Sequence, residues 1–547
     1  MENILKEIGP SLSGRICKEL EAGGLSSAAA RQRISRVRHP VNRLGGLIFP
    51  KGAKFLYLDS QRNTRPYWEA LIREAQESSP AYAAALAGLL SRGGVVPLRN
   101  FPIVCGSPIR QAGHLAAATI LDRLTQADLV RIIDVVGIGE CVSLGEAFYL
   151  RAQDDAALRA RLLAEKVLIS AVKDWVRKLG VASYDTIRTR DDNEEIPKVG
   201  TFAWDLSGPS YLRHMVRRSD SSGRPVPGFF VCDLGFGEHF DEAAVAAFVR
   251  KCETVGALKK LPPIWSMLVA ESFSREAFNT GRSHGVMMAT PDTLFGKQVA
   301  EGLRQLVDAL TRAAAIAVAR PEAVGQIFDN LSRIEGAAIN LRGPLFEMIV
   351  GHCVVKVDGG SIDIGRKVLD RTTGKKLDVD VFRVKGDTEV WAYECKGYQP
   401  SEVVKLAAVE HWLTERVARI HDELRFEDRF QSADFHYEFW TTGDFAPDAL
   451  ARLEEAKANT KRYTVGWRDG PAVREYASRV RHKEVLKMLD DHYFNHPIAR
   501  LSKRYNARAP KALDVRIESG PYVENPIASS RKAGSLPPSS REREEAG

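Results

Sequence analysis

Two apolar runs rich in Val, Phe, Trp and Tyr lie in KLDVDVFRVKGDTEVWAYECKGY, residues 376–398, on either side of a Lys-Gly-Asp turn at 385–387. That pattern predicts an antiparallel hairpin. Helical periodicity precedes it in GPLFEMIVGHCVV and follows it in SEVVKLAAVEHWLTERVARIHDEL. A strand, FHYEFWTTG, a helix, ALARLEEAKA, and a strand, YTVGW, close the region. The middle of the chain repeats this order in weaker form. There a helical run, LLAEKVLISAVKDWVRKLG, leads to TFAWDLSG and GFFVCDLGFGE, and then to PIWSMLVAESFSREAFNTGRSHGVMMATPDTLFG.

The amino-terminal pattern differs. LSGRICKELEAGG predicts a short helix stopped by Gly23 and Gly24, and Leu25-Ser26-Ser27 offers an N-cap. SSAAARQRISRVRH follows as a basic helix carrying Arg31, Arg33, Arg36 and Arg38. LGGLIFPKGAKFLYL then predicts a hairpin with Pro50-Lys51-Gly52 at its tip. This is a winged-helix order: the basic helix suits a major groove, and Lys51 and Lys54 suit phosphates. LAAATILDRL and TQADLVRIIDVV, before GIGECVSLGEAFYL, read as a second helix–turn–helix with a reading helix at 125–136. Asp128 and Asp134 make it poor for phosphate, so packing or dimerisation is its expected role.

Strand alternation gives the hairpin its chemistry. Glu394 and Lys396 share one face and Cys395 takes the other; Asp378 and Asp380 share a face that folds beside Glu394. Carboxylates gathered in an apolar site repel and resist desolvation unless a cation joins them. A hard divalent ion fits such a set, held by Asp378 or Asp380 and Glu394, with Lys396 to orient water. The two aspartates are not separated by face.

These residues resemble the PD-(D/E)xK nuclease superfamily, with its Asp on one strand and Glu-x-Lys on the next. Glu347 fits the acidic residue that such enzymes often place on the preceding helix. The resemblance implies a restriction-endonuclease-like fold, Mg2+ or Mn2+ as cofactor, and Glu347, Asp378, Asp380, Glu394 and Lys396 as the catalytic set. The closing segment of the middle region is similar to Mrr-like restriction endonuclease domains. Laid over the hairpin, that region puts Cys232 at the Glu394 position and Leu234 at the Lys396 position, with Asp233 on the opposite face and Asp205 as the remnant aspartate. A copy so altered is expected neither to hold metal tightly nor to cleave.

Length calls for several domains. The expected organisation is multidomain α/β: a winged helix-turn-helix at 1–62, a second helical, winged-helix-like domain at 63–150, a degenerate restriction-endonuclease-like domain at 155–300, an intact one at 301–495, and a disordered tail at 503–547. Residues 188–198 read as a charged loop, and residues 217–228 as a flexible insertion. A net charge of +8 suits a phosphate-rich partner, double-stranded DNA above RNA. Seven cysteines without a Cys-x-x-Cys pair argue against zinc ribbons and disulfides. His352 reads as structural. Without a visible signal peptide or membrane span, a cytoplasmic location is expected. No phosphate-binding Gly-x-x-x-x-Gly-Lys loop is present, so any ATPase would be a partner. The expectation is a metal-dependent DNA endonuclease of bacterial restriction or anti-phage defence, working as a homodimer. Its rival is a winged-helix regulator that binds DNA and cuts nothing.

Overall fold

In a computed structural model, the chain is described over residues 1–494, apart from 48, 146–154, 184, 193–194, 219–224, 259–260, 332–333, 335–336 and 399–401. The tail expected at 503–547 lies outside the described residues.

The first helix, Glu2–Ile8, was not foreseen; helices Ser13–Ala22 and Ser27–Ser35 follow. Ser26 caps the latter, its hydroxyl accepting the Ala29 N–H at 3.3 Å. The basic helix is shorter than expected. Arg36 is already its C-cap and Arg38 lies beyond, because His39 precedes a proline, which disfavours helical backbone. The hairpin expected as a wing pairs Val41–Arg43 with Phe55–Leu58, earlier than the expected arm at 44–49. Ser11–Leu12 adds a third strand on the other edge of Phe55–Leu58. Alternation along Phe55–Leu58 joins two cores: Leu56 and Leu58 fill that of the first helices, while Phe55 and Tyr57 enter the core of residues 44–144.

In that second core the helix expected at 125–136 is absent. The chain forms a helix, Ala117–Gln126, and then a strand, Val130–Val135. Asp128 takes a left-handed φ of 54° that ends the helix, and Val130, Ile132, Ile133 and Val135 are β-branched. This strand and Val95–Pro97 flank Gly139–Leu144.

Two five-stranded sheets follow, built alike. In each, a long helix precedes three antiparallel strands, and two helix-connected parallel strands complete the sheet. The middle sheet runs Arg188–Thr189, Leu206–Ser210, Gly228–Phe240, Ile264–Phe273 and Met287–Ala289, after helix Asp155–Lys178. The carboxy-terminal sheet runs Ser361–Leu369, Lys376–Lys385, Glu389–Lys396, Asp434–Thr441 and Thr464–Arg468, after helix Ala337–Asp358. The repeat read from the sequence is therefore present as a repeat of strand order and direction. Its boundary is less clean than 300/301, which falls inside helix Lys297–Thr311; that helix packs in a single core with both long helices.

Two loop readings change. The charged segment 188–198 begins with a sheet strand, and its Arg190 is only 4% exposed. The insertion at 217–228 carries a two-residue ladder, Arg217–Arg218 with Pro225–Val226.

Candidate functional site

The hairpin forms where alternation placed it. Val381 stands opposite Tyr393, so one residue further along Asp380 faces Glu394. Asp380 Oδ2 accepts the Cys395 backbone N–H at 2.8 Å. Helix Ala337–Asp358 reaches this end of the sheet because residue 397 is glycine: a Cβ there would lie 2.4 Å from the Arg342 carbonyl oxygen and 2.8 Å from Phe346 Cβ. Glu347, one residue on from Phe346, is thereby brought up against the acids. Asp380 and Glu394 are 8% and 6% exposed.

The structure separates the two aspartates. Asp378 pairs with Lys367 of the neighbouring strand at 2.6 Å, and its side chain is 37% exposed. Asp380 is the inward acid. Burial, then the Glu394 charge, pushes its pKa up to about 7. Burial pushes Glu347 well above the carboxylate range, and the charges of Asp380 and Asp378 add to it. Among the described residues Glu347 has neither a hydrogen bond nor an ion pair.

Glu394 is heavily engaged. It accepts Lys396 Nζ at 2.7 Å, and both of its oxygens take Arg416 Nη1 at 2.6 Å. Arg416 Nη2 donates to the Asp378 carbonyl at 2.7 Å. Burial pulls Lys396 down, but Glu394 and Asp380 outweigh it and hold the ammonium above its ordinary pKa. Lys396 is thus a cation throughout the neutral range. Arg416 escaped the sequence reading because it lies 22 residues beyond Glu394, with no local motif to flag it.

A tight metal triad of Asp378, Asp380 and Glu394 is not formed. Their ligand atoms do not gather within 4.8 Å of one another, whereas Glu322, His482 and Glu484 do, among the described residues. The five residues expected to be catalytic are brought to one end of the sheet, with Asp378 turned to Lys367 and Glu394 held by Arg416. Among the described residues, the two acids of this set with no ion pair of their own are Glu347 and Asp380, where burial and repulsion outweigh the nearby Lys396 charge.

The middle sheet corrects the expected overlay by one residue. Leu206 faces Cys232, so Asp205 faces Asp233, as Asp380 faces Glu394. Asp205 Oδ2 accepts the Leu234 N–H at 2.8 Å, matching the bond from Cys395 to Asp380. Asp233 is therefore the counterpart of Glu394, and Gly235 of Lys396; Cys232 and Leu234 are not. Asp-x-Gly in place of Glu-x-Lys was readable, had the hairpin register been used for the overlay. Helix Asp155–Lys178 supplies Glu165, 2% exposed, whose Oε1 accepts the Phe236 N–H at 3.3 Å.

At the amino terminus Arg31, Arg33, Arg36, Arg38, Lys51 and Lys54 are all exposed. Arg31 and Arg33 are about 200° apart around their helix, so they do not line one groove-facing stripe. Arg43, which the sequence reading passed over, ties down the helix end by donating to the Ile34 and Ser35 carbonyls at 3.1 and 2.6 Å. No helix among the described residues is long and apolar enough to cross a membrane. No family model, no curated protein and no solved structure matches the chain.

Proposed function

We propose that the chain is a metal-dependent endonuclease of the PD-(D/E)xK type, acting on double-stranded DNA held by the amino-terminal winged helix. One observation supports this reading: Glu347 and Asp380 are carboxylates crowded together beside Glu394 at one end of the carboxy-terminal sheet, where burial and their mutual repulsion outweigh the nearby Lys396 and Arg416 charges. Acids whose pKa is raised by crowding destabilise a fold and cluster where a function needs them. A Mg2+ or Mn2+ ion on Asp380 and Glu347 would supply positive charge to a phosphodiester and to an attacking water. Asp378 and Glu394 would complete the acidic surround once Lys367 and Arg416 yield. Lys396, kept protonated by Glu394 and Asp380, binds the scissile phosphate and orients water toward it, rather than removing a proton. The exposed arginines and lysines of the winged helix contact the DNA backbone.

Bacterial restriction or anti-phage defence in the cytoplasm is the proposed setting, and a homodimer would supply the second cut of a duplex. One observation favours the alternative of a DNA-binding protein that does not cut: Arg416 occupies both oxygens of Glu394. Incubating plasmid with wild type and Lys396→Ala, with Mn2+ or with EDTA, separates the two. Cleavage only by wild type with Mn2+ is expected. Binding without cleavage in every lane would establish the alternative.

A further inference from the structure

In the middle sheet the same three acids are sealed. Arg190 donates from Nη1 to Asp205 Oδ1 at 2.7 Å and from Nη2 to Glu165 Oε2 at 2.6 Å. Lys251, 1% exposed, pairs with Asp233 from the following helix and lies 3.9 Å above the Trp204 ring. Arg92, from the preceding domain, approaches Asp205 Oδ2 at 3.7 Å. Three carboxylates thus meet three guanidinium or ammonium groups, all buried.

The preceding domain does more than lend one arginine. Arg99 donates to the Arg190 carbonyl at 2.8 Å, and Lys251 to the Ile103 carbonyl at 3.3 Å. Arg161, on the helix of Glu165, donates to the carbonyls of Arg92 and of Val95, the latter at 2.6 Å. Backbone carbonyls of 92–103 and side chains of the middle sheet are therefore joined at the former site. The gap left at the joint is about 20 Å³, room for little more than one water. A Cβ at Gly235, where the other copy has its lysine, would lie 2.7 Å from Phe240 Cζ.

We infer that the middle copy's acid set is a protein-to-protein socket: Arg190 and Lys251 take the place of a metal ion, and residues 92–103 of the preceding domain dock where substrate would otherwise enter. The socket fastens the DNA-reading half of the chain to the nuclease half. Combined with the cutting centre proposed above, on which this corollary rests, it leaves one centre per chain.

A charge-cancelling cycle tests the socket. Asp233→Asn strands the Lys251 ammonium, and Lys251→Met strands the Asp233 carboxylate, whereas the double variant removes both charges. Breaking one side of a buried pair costs far more than removing both. In the full chain, amide exchange of peptides covering 92–105 is expected to quicken about ten-fold or more in each single variant and to recover most of that loss in the double. Unchanged exchange in the singles, or equal loss in singles and double, overturns the socket. Wild type needs no substitution for the second arm, a Mn2+ titration followed by electron paramagnetic resonance. One bound ion per chain that is lost in Asp380→Asn and kept in Asp233→Asn is expected; any ion that vanishes in Asp233→Asn and survives Asp380→Asn overturns the inference. No ion in wild type defeats the nuclease reading alone, and the exchange arm then still decides the socket.

Discussion

Replacing Asp380 with asparagine should stabilise the ion-free protein while ending the proposed cleavage. Asparagine keeps an oxygen for the Cys395 N–H and removes the charge that Glu394 and burial oppose. The folded-state pKa of about 7 stands above the ordinary 3.8, so the sign is fixed. Asp380 detracts least below about pH 4, where it is protonated folded or unfolded. Stability is lost as pH rises through 7, where the folded site must hold the anion. The gap is about 3 pH units at about 1.4 kcal/mol each, an upper bound of about 4 kcal/mol at pH 8. Spread over one domain's cooperative transition, that corresponds to a Tm higher by roughly 5 °C or more. Thermal melts of wild type and Asp380→Asn in EDTA at pH 8 and pH 4.5 measure it. The variant should melt higher at pH 8, and the difference should shrink at pH 4.5. Mn2+ should then raise the wild-type Tm at pH 8 and leave the variant's unchanged. A variant that melts no higher at pH 8, or higher by the same amount at both pH values, would refute the claim that burial and Glu394 outweigh the cations around Asp380.

Lys396→Ala should lower plasmid cleavage by at least about a hundred-fold, as the loss of a charged phosphate contact does, while leaving duplex affinity in a gel-shift assay within about two-fold. Arg416→Gln frees Glu394 Oε2 and leaves Oε1 with Lys396 alone, so Mn2+ affinity measured by calorimetry should tighten several-fold; weaker binding would make Arg416 part of the ion's support. Cleavage rate should fall by up to about ten-fold per pH unit below pH 7, as protonated Asp380 loses its hold on the ion, and a profile flat from pH 5.5 to 8 would contradict that. Lys51→Ala with Lys54→Ala should flatten the dependence of log affinity on log salt by about 2, as expected for two lost phosphate contacts, and leave sequence preference unaltered.

What the sequence made legible was local. The hairpin at 376–398 announces itself through two apolar runs and a turn, and Ser26 marks a helix start by its own chemistry. The repeat was visible as an order of elements, yet its overlay slipped by one residue, because apolar strands give no internal mark of register. The buried role of Arg190 was hidden inside RTRDDNEEIPK, a string that reads as solvated. Its partners Asp205 and Glu165 lie 15 and 25 residues away, and only folding brings them together. Arg416 and Lys367 escaped for the same reason: an ion pair across elements leaves no periodic trace. The strand Val130–Val135 was misread as a helix because an amphipathic stretch of six residues satisfies either period, and β-branching should have decided it.

The crowding around Gly235 constrains what can stand there. A lysine side chain would collide with Phe240 and lie against Arg92 of the docked domain. Any residue larger than glycine at this position therefore pries at the joint between the two halves of the molecule, and a position that looks empty in the sequence works as a latch.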